Sequence, residues 1–235
     1  MSPPFCSSMH ILLLPSWYPS SADDVRGVFF RDQAVALRDH GHRVGVIAPF
    51  PLAARELAER GRRAMRVQRD PEEAVPTFRR GYPGFPQRVP QLQHRFFTRA
   101  AKDLLRAYVE EHGAPDLIHA HVALHGGVAG VDLAKRLGIP LVLTEHSTGF
   151  ARSAYNRWQL RLAARALKEA TLRIAVSPSL VEQLERTFPE TAGLWTCIPN
   201  VVANRFTSAP RSSVTKPSVR FLNLGLMTEK KGQQD

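Results

Sequence analysis

The sequence predicts an α/β protein: a parallel sheet flanked by helices. Three observations carry that prediction. Apolar β-type runs alternate with stretches of helical spacing along most of the 235 residues, as repeated βα units require. The first run, residues 9–14, is apolar without a break, like a strand buried on both faces. Gly41 and Gly138 each follow a helical stretch directly, where a left-handed C-terminal cap belongs.

The elements follow in order. After the first strand, residues 15–27 form a long loop containing Pro, Ser and Asp. Residues 28–40 have helical spacing, with Phe29, Gln33, Ala36 and Leu37 on one side and Arg31, Arg38 and Asp39 on the other. Residues 43–48 are the second strand, stopped by Pro49. Residues 52–65 are helix-like and very basic. Residues 77–90 are rich in Pro, Gly and aromatics, so a long loop or a short irregular strand is expected. Residues 92–112 make a long helix with Phe96, Ala100, Leu104, Ala107 and Tyr108 near one stripe. Strands are expected at 116–121, 140–145, 173–176 and 194–198. Helices are expected at 126–137, 155–170 and 178–187, the last with Ser177 as its N-cap.

Residues 209–218 are polar and bracketed by Pro210 and Pro217, and read as a linker. Residues 219–224 open a fresh strand that cannot bury both faces alone, which points to a chain cut near the start of a second domain. The expected organisation is a leader over 1–8, a first domain over 9–208, the linker, and a second domain beginning at 219–235.

Composition narrows the function classes. At 43% hydrophobic and 23% charged residues the chain is globular, and no apolar run approaches the length of a membrane span. Residues 1–8 carry no basic cluster of a secretory signal. The two cysteines, Cys6 and Cys197, suggest neither a disulfide framework nor a metal site, so a reduced, cytoplasmic setting is expected. The net charge of +11 favours phosphate-bearing partners; the alternative is a compositional bias toward arginine.

Six units in order, the first made of three segments, resemble one known family. Pro15-Ser16-Trp17-Tyr18-Pro19, Arg26-Gly27-Val28-Phe29 and Gly41-His42-Arg43-Val44 are similar to its first βαβ unit. Asp116-Leu117-Ile118-His119-Ala120-His121, Thr144-Glu145-His146-Ser147, Ala175-Val176-Ser177 and Ile198-Pro199-Asn200-Val201-Val202 follow in its order. Gly225-Leu226-Met227-Thr228-Glu229-Lys230-Lys231-Gly232 is similar to the loop after the first strand of its second domain. The family is the family 4 glycosyltransferases, of the GT-B fold, which pairs two Rossmann-like domains.

The resemblance implies a retaining enzyme that moves a hexose from a nucleoside-diphosphate sugar to a glycan or lipid-linked acceptor, with no metal or other cofactor. It places Gly27, Gly225, Lys230 and Lys231 at the donor phosphates and His146 beside the reacting sugar, with its neighbours Glu145 and Ser147 as acceptor- or sugar-binding residues. Glycine at the start of a helix lets an anion reach the backbone N–H groups, and a neutral imidazole can accept a hydroxyl proton or hydrogen-bond a sugar. A plain turn glycine and a structural histidine remain the alternatives at Gly27 and His146. Leu226 stands where relatives commonly carry arginine. Trp17, Tyr18, Asp23 and Asp24 fall in the loop that borders the acceptor, where rings stack on sugars and carboxylates bind hydroxyls.

Arg157, Arg161, Arg165 and Lys168 share one helical face, suited either to anionic headgroups at the inner face of a membrane or to plain solvation. His119, His121 and His125 lack the further ligand that a zinc site needs. There is no G-x-G-x-x-G, Walker or G-x-S-x-G motif and no D-x-D pair. Nucleic-acid binding has only the basic charge to support it and is not expected. The paired glutamates of the family's donor motif are missing, so the 235 residues alone are expected to be inactive. The competing reading is a non-catalytic domain that binds a glycan or a membrane surface.

Overall fold

The computed structural model describes residues 8–202, apart from 22, 72, 85–88, 147–148, 151 and 153. Expectations on Cys6, Ser147, Gly225, Lys230 and Lys231, and on the linker at 209–218, lie outside the described residues.

Eight strands form one sheet in the order β3-β4-β2-β1-β5-β6-β7-β8. They are β1 (His10–Pro15), β2 (Arg43–Leu52), β3 (Gln68–Asp70), β4 (Thr77–Pro83), β5 (Leu117–His121), β6 (Leu141–Glu145), β7 (Leu172–Ala175) and β8 (Trp195–Cys197). All neighbours run parallel except the β3–β4 pair. The helices are α1 (Val28–Asp39), α2 (Ala54–Arg60), α3 (Pro90–His112), α4 (Val128–Leu137), α5 (Arg157–Glu169) and α6 (Pro178–Thr187).

The strand β1 is buried along its whole length, which is why its apolar run is unbroken. Ile11 and Leu13 face α1, packing with Ala34, Val44 and Val46. Leu12 and Leu14 face the opposite side, in a core shared with α3, α4 and α5. Chain order reverses at this strand: β2 lies on one side of β1 and β5 on the other. Ligands in open parallel sheets gather beyond the carboxyl ends of strands at such a reversal.

Four details depart from the sequence expectations. In α1 the buried residues are Phe30 and Ala34, one position away from the expected stripe, which leaves Phe29 free to turn toward β6. Pro49 does not stop β2. Pairing with β1 ends at Leu13–Val46, and beyond it β2 bonds only to β4. Val46 donates its N–H toward β4 and Leu52 accepts there through its carbonyl, both at 2.9 Å. By alternation Pro49 and Pro51 face away from β4, where no ladder hydrogen bond is lost. The stretch at 77–90, expected as a long loop or a short irregular strand, contains a regular seven-residue strand, with Phe78 and Tyr82 packed on Tyr108 and Phe97 of α3. The short edge strand β3 carries Gln68-Arg69-Asp70 and has no apolar pattern to announce it.

The expected N-cap is present: Ser177 Oγ accepts from Leu180 N at 3.2 Å. Gly45 lies against the hydroxyl of buried Tyr108, which pairs with His10 Nε2 at 2.8 Å. A Cβ at position 45 would overlap that hydroxyl, so Gly45→Ala is expected to cost about 1–3 kcal/mol. The check is urea unfolding with the slope unchanged.

Candidate functional site

The site gathers at the carboxyl ends of β1, β5 and β6 around the N-terminus of α1. Gly27, the residue before α1, has φ of 77°, a left-handed conformation open to glycine. A Cβ there would come within 2.9 Å of both Phe30 Cδ2 and Trp17 Cδ1. Position 27 therefore demands glycine for backbone conformation and for close packing under the Trp17 ring. Among the described residues no side chain caps α1, and no acidic residue occupies its first turn, so its leading N–H groups and the positive end of its dipole have no side-chain anion there.

Beside this helix end stand three histidines. His119 and His121 alternate along β5 and both rings lie on the same face, centroids 4.3 Å apart. His146 follows β6, with its Nε2 3.1 Å from Nδ1 of His121 and its ring 4.9 and 5.1 Å from Phe29 and Phe30. Thr144 Oγ1 meets Nε2 of His119 at 2.8 Å. Burial keeps all three uncharged: it pushes His119 down to about 3, with His146 adding to the effect. His121 falls well below 6.5 for the same reason, with His119 and His146 adding to it. His146 falls to about 4, opposed by the Asn200 side chain. At neutral pH this is a row of hydrogen-bonding rings without charge.

Glu145 departs from the sugar-contacting place expected of it. The side chain is fully buried, and its two oxygens accept from the N–H groups of Ala123 and His146, each at 2.9 Å. It ties the irregular turn at 123–127 to the end of β6 and so holds the backbone of His146. Ser16 fastens the same turn to β1: its hydroxyl donates to His121 O at 3.0 Å and accepts from Gly126 N at 2.8 Å. Ser16 falls within the first segment of the family resemblance, but the sequence pattern gave it no role of its own.

A cleft of about 760 Å³ opens next to Gly27, lined by Trp17, Tyr18, Asp24, Arg26, Phe50 and Arg79 among others. Trp17 keeps 39% of its surface exposed and rests edge-on against Phe30 at 5.4 Å. Tyr18 lies between the guanidiniums of Arg31 and Arg79, 5.9 and 5.2 Å from its centroid. Glu73 joins those two arginines at 2.7 and 3.1 Å, and Asp70 takes the other side of Arg79 at 2.7 Å. Burial, reinforced by Glu73, pushes the Tyr18 phenol above its usual range, so the hydroxyl remains protonated. Asp24 accepts from Arg26 Nε at 3.0 Å and from Ser20 N and Oγ at 2.9 and 2.8 Å, which folds its own loop. Those contacts, Arg26 foremost, hold its carboxyl well below the ordinary range.

Trp17, Tyr18, Asp24, Gly27 and His146 thus lie along one rim, joined through Phe29 and Phe30. Sequence reading missed the Arg31–Glu73–Arg79 network, because Glu73 and Arg79 lie on segments that looked like loop. His125 is not part of the β5 pair: its ring stacks on His94 at 5.6 Å, near Phe97.

The sequence profile of Glycosyltransferase Family 4 matches residues 27–204, a span that includes α1 and every strand from β2 to β8. The chain belongs to glycosyltransferase family 4. A Bacillus subtilis (strain 168) protein named as the teichuronic acid biosynthesis glycosyltransferase TuaC is 31% identical over 184 residues, covering 76% of this chain and 46% of that protein. Among solved structures, the catalytic domain of starch synthase IV from Arabidopsis thaliana superposes with a TM-score of 0.58 at 14% identity, covering 85% of this chain and 53% of that one. Arabidopsis thaliana UGT89C1, complexed with UDP, gives 0.52 at 14% identity over 83% of this chain and 50% of that one. Anabaena HepE, also in complex with UDP, gives 0.50 at 20% identity over 83% and 44%. These likenesses show the GT-B type of α/β fold. The chain spans about half the length of each of these relatives.

Proposed function

We propose that this chain forms the acceptor side of a retaining glycosyltransferase that moves a sugar from a nucleoside-diphosphate sugar to a glycan or lipid-linked acceptor. The observation that carries the reading is the uncapped N-terminus of α1 beside neutral, half-buried His146. The donor diphosphate would lie against the N–H groups following Gly27, where backbone and dipole favour an anion. The transferred sugar would meet His146, and the acceptor would stack on Trp17 and Tyr18 in the adjoining cleft. UDP in the HepE and UGT89C1 complexes supports a nucleotide donor. Lys230 and Lys231 would add charge at the diphosphate leaving group, and no metal is required of these residues.

Turnover is expected only when a second, nucleotide-binding half is supplied, because the chain corresponds to about half of each relative. In such a complete enzyme, His146→Ala is expected to lower turnover by about 10- to 100-fold, the worth of one desolvated hydrogen bond. The check is a transfer assay over a panel of nucleoside-diphosphate sugars. Turnover by the 235 residues alone would overturn the division of labour, and would leave the non-catalytic binding domain no place.

A second observation bears on where the enzyme works. In α3, Arg95, Arg99 and Arg106 repeat at the spacing of Arg157, Arg161 and Lys168 in α5, and all six are exposed without an acidic partner among the described residues. Arg165, expected to share that face, instead pairs with Asp132 at 3.3 Å. The two helices flank α4 on one side of the sheet. Among the described residues no helix is long and apolar enough to cross a membrane. The basic layer suits the anionic cytoplasmic leaflet, at about 1 kcal/mol per cation. Converting three of these cations to glutamine is expected to weaken binding to anionic vesicles by about two orders of magnitude. Vesicle co-sedimentation measures this, and equal binding to neutral vesicles would refute it.

A further inference from the structure

The contact between His121 and His146 settles which hydrogen-bonding role His146 can play. Their 3.1 Å approach joins Nδ1 of His121 to Nε2 of His146. Both rings are uncharged at neutral pH, so a single proton serves that contact, and it belongs to one ring or the other. His121 is fully buried, and its other nitrogen, Nε2, has no hydrogen-bond partner among the described residues. A proton on that Nε2 would be a buried donor without an acceptor. The other placement puts the proton on Nδ1 of His146, which also lacks a hydrogen bond of normal geometry, but that ring is only half-buried at the cleft and has the Asn200 side chain as an acceptor, so a proton there costs less than one sealed beneath it on His121.

The proton therefore lies on Nδ1 of His121, which donates to Nε2 of His146. With Nε2 engaged as an acceptor, neutral His146 carries its own proton on Nδ1. His119 braces the arrangement: its ring lies against His121 at 4.3 Å and is pinned by Thr144 at 2.8 Å. Phe30 closes the other side of His121 at 4.9 Å.

We propose that His121 is a positioning residue that locks His146 in the Nδ1–H tautomer, so that His146 offers the transferred sugar a hydrogen-bond donor and not a base. The proposal rests on the placement of His146 beside the sugar argued above. Nδ1 of His146 makes no hydrogen bond of normal geometry among the described residues, and a sugar hydroxyl would share or take the place of the Asn200 side chain as the acceptor beside that ring.

The test is ring nitrogen-15 spectroscopy of the histidine-labelled 235-residue chain at neutral pH, with His146 assigned from a His146→Gln variant. A single His146 tautomer is expected, protonated at Nδ1. His121→Asn, whose amide N–H replaces the Nδ1–H, is expected to keep that tautomer. His121→Phe, which fills the space without a donor, is expected to release a mixture of both. A wild-type His146 protonated at Nε2, or a His121→Phe protein with the wild-type tautomer, would overturn the proposal. Should His121→Phe not fold, the wild-type spectrum alone still decides where the proton lies. The spectra need no nucleotide sugar, so absent transferase activity leaves their outcome intact. The His146→Ala transfer assay tests the placement beside the sugar separately.

Discussion

Lowering the pH from 7 to about 5 is expected to unfold the protein cooperatively. Besides His10, which burial also lowers, five histidines are held well below their ordinary range chiefly by burial: His94, His125 and His146 at about 4, His119 at about 3, and His121 well below 6.5. In the unfolded chain each titrates near 6.5. Between 6.5 and 4 the unfolded chain therefore binds protons that the folded protein refuses, so stability falls as the pH falls. Each group contributes up to about 1.4 kcal/mol per pH unit in that window, and five together about 7 kcal/mol per unit. Against a stability of about 5–15 kcal/mol, the midpoint should fall one to two units below 6.5. Above pH 7 the histidine contribution is complete and the curve should be flat. Thermal midpoints measured across this range check it; a midpoint unchanged between pH 7 and pH 5 would show that these rings can charge in place.

Glu145→Ala is expected to be the most damaging single change at the site. Its carboxyl satisfies the N–H groups of Ala123 and His146 in a position without solvent access. Truncation orphans both, at about 1–3 kcal/mol each, so a loss of about 2–6 kcal/mol is expected. Glu145→Gln retains one acceptor oxygen but turns an NH2 toward the other amide, and should lose about half as much. Urea midpoints of the two variants, read against an unchanged slope, measure the difference. A loss below about 1 kcal/mol for the alanine variant would mean that the turn at 123–127 finds other partners. Acceptor contacts made elsewhere in the cleft, at Trp17 and Tyr18, should survive the glutamine change.

Legibility followed the range of the forces involved. The strands β1, β5 and β6 were readable because each buries nearly all of both faces, which favours apolar residues that a linear scan detects. The α6 cap was readable because Ser177 acts on a backbone group three residues away, Leu180. By contrast β4 was hidden by Arg79, Arg80 and Gly81. Arg79 and Arg80 are neutralised by Glu73 and Asp103, which local pattern cannot pair with them. Pro49 looked like a stop because pattern reading treats every strand position as hydrogen-bonded on both sides. β1 ends its pairing before that point, and this decides the matter.

The site divides in the same way. Residue types at loop positions pointed to Trp17, Tyr18, Gly27 and His146, since glycine before a helix and histidine after a strand carry their meaning locally. Glu145 has the same kind of position but the opposite direction: strand alternation turns it inward to amides of the neighbouring turn. Whether a side chain at a strand end faces a cleft or supports it depends on what packs beneath. By itself the sequence determined the α/β class, the order of its units, the kinship with family 4 glycosyltransferases and the residue types gathered at the strand ends. Only the tertiary structure decided that Arg31, Glu73 and Arg79 form one network and that His121 reaches His146. Residues 31 and 73 meet between α1 and the connection from β3 to β4, and 121 and 146 meet at the ends of neighbouring strands. Contacts of that reach leave no periodicity along the chain.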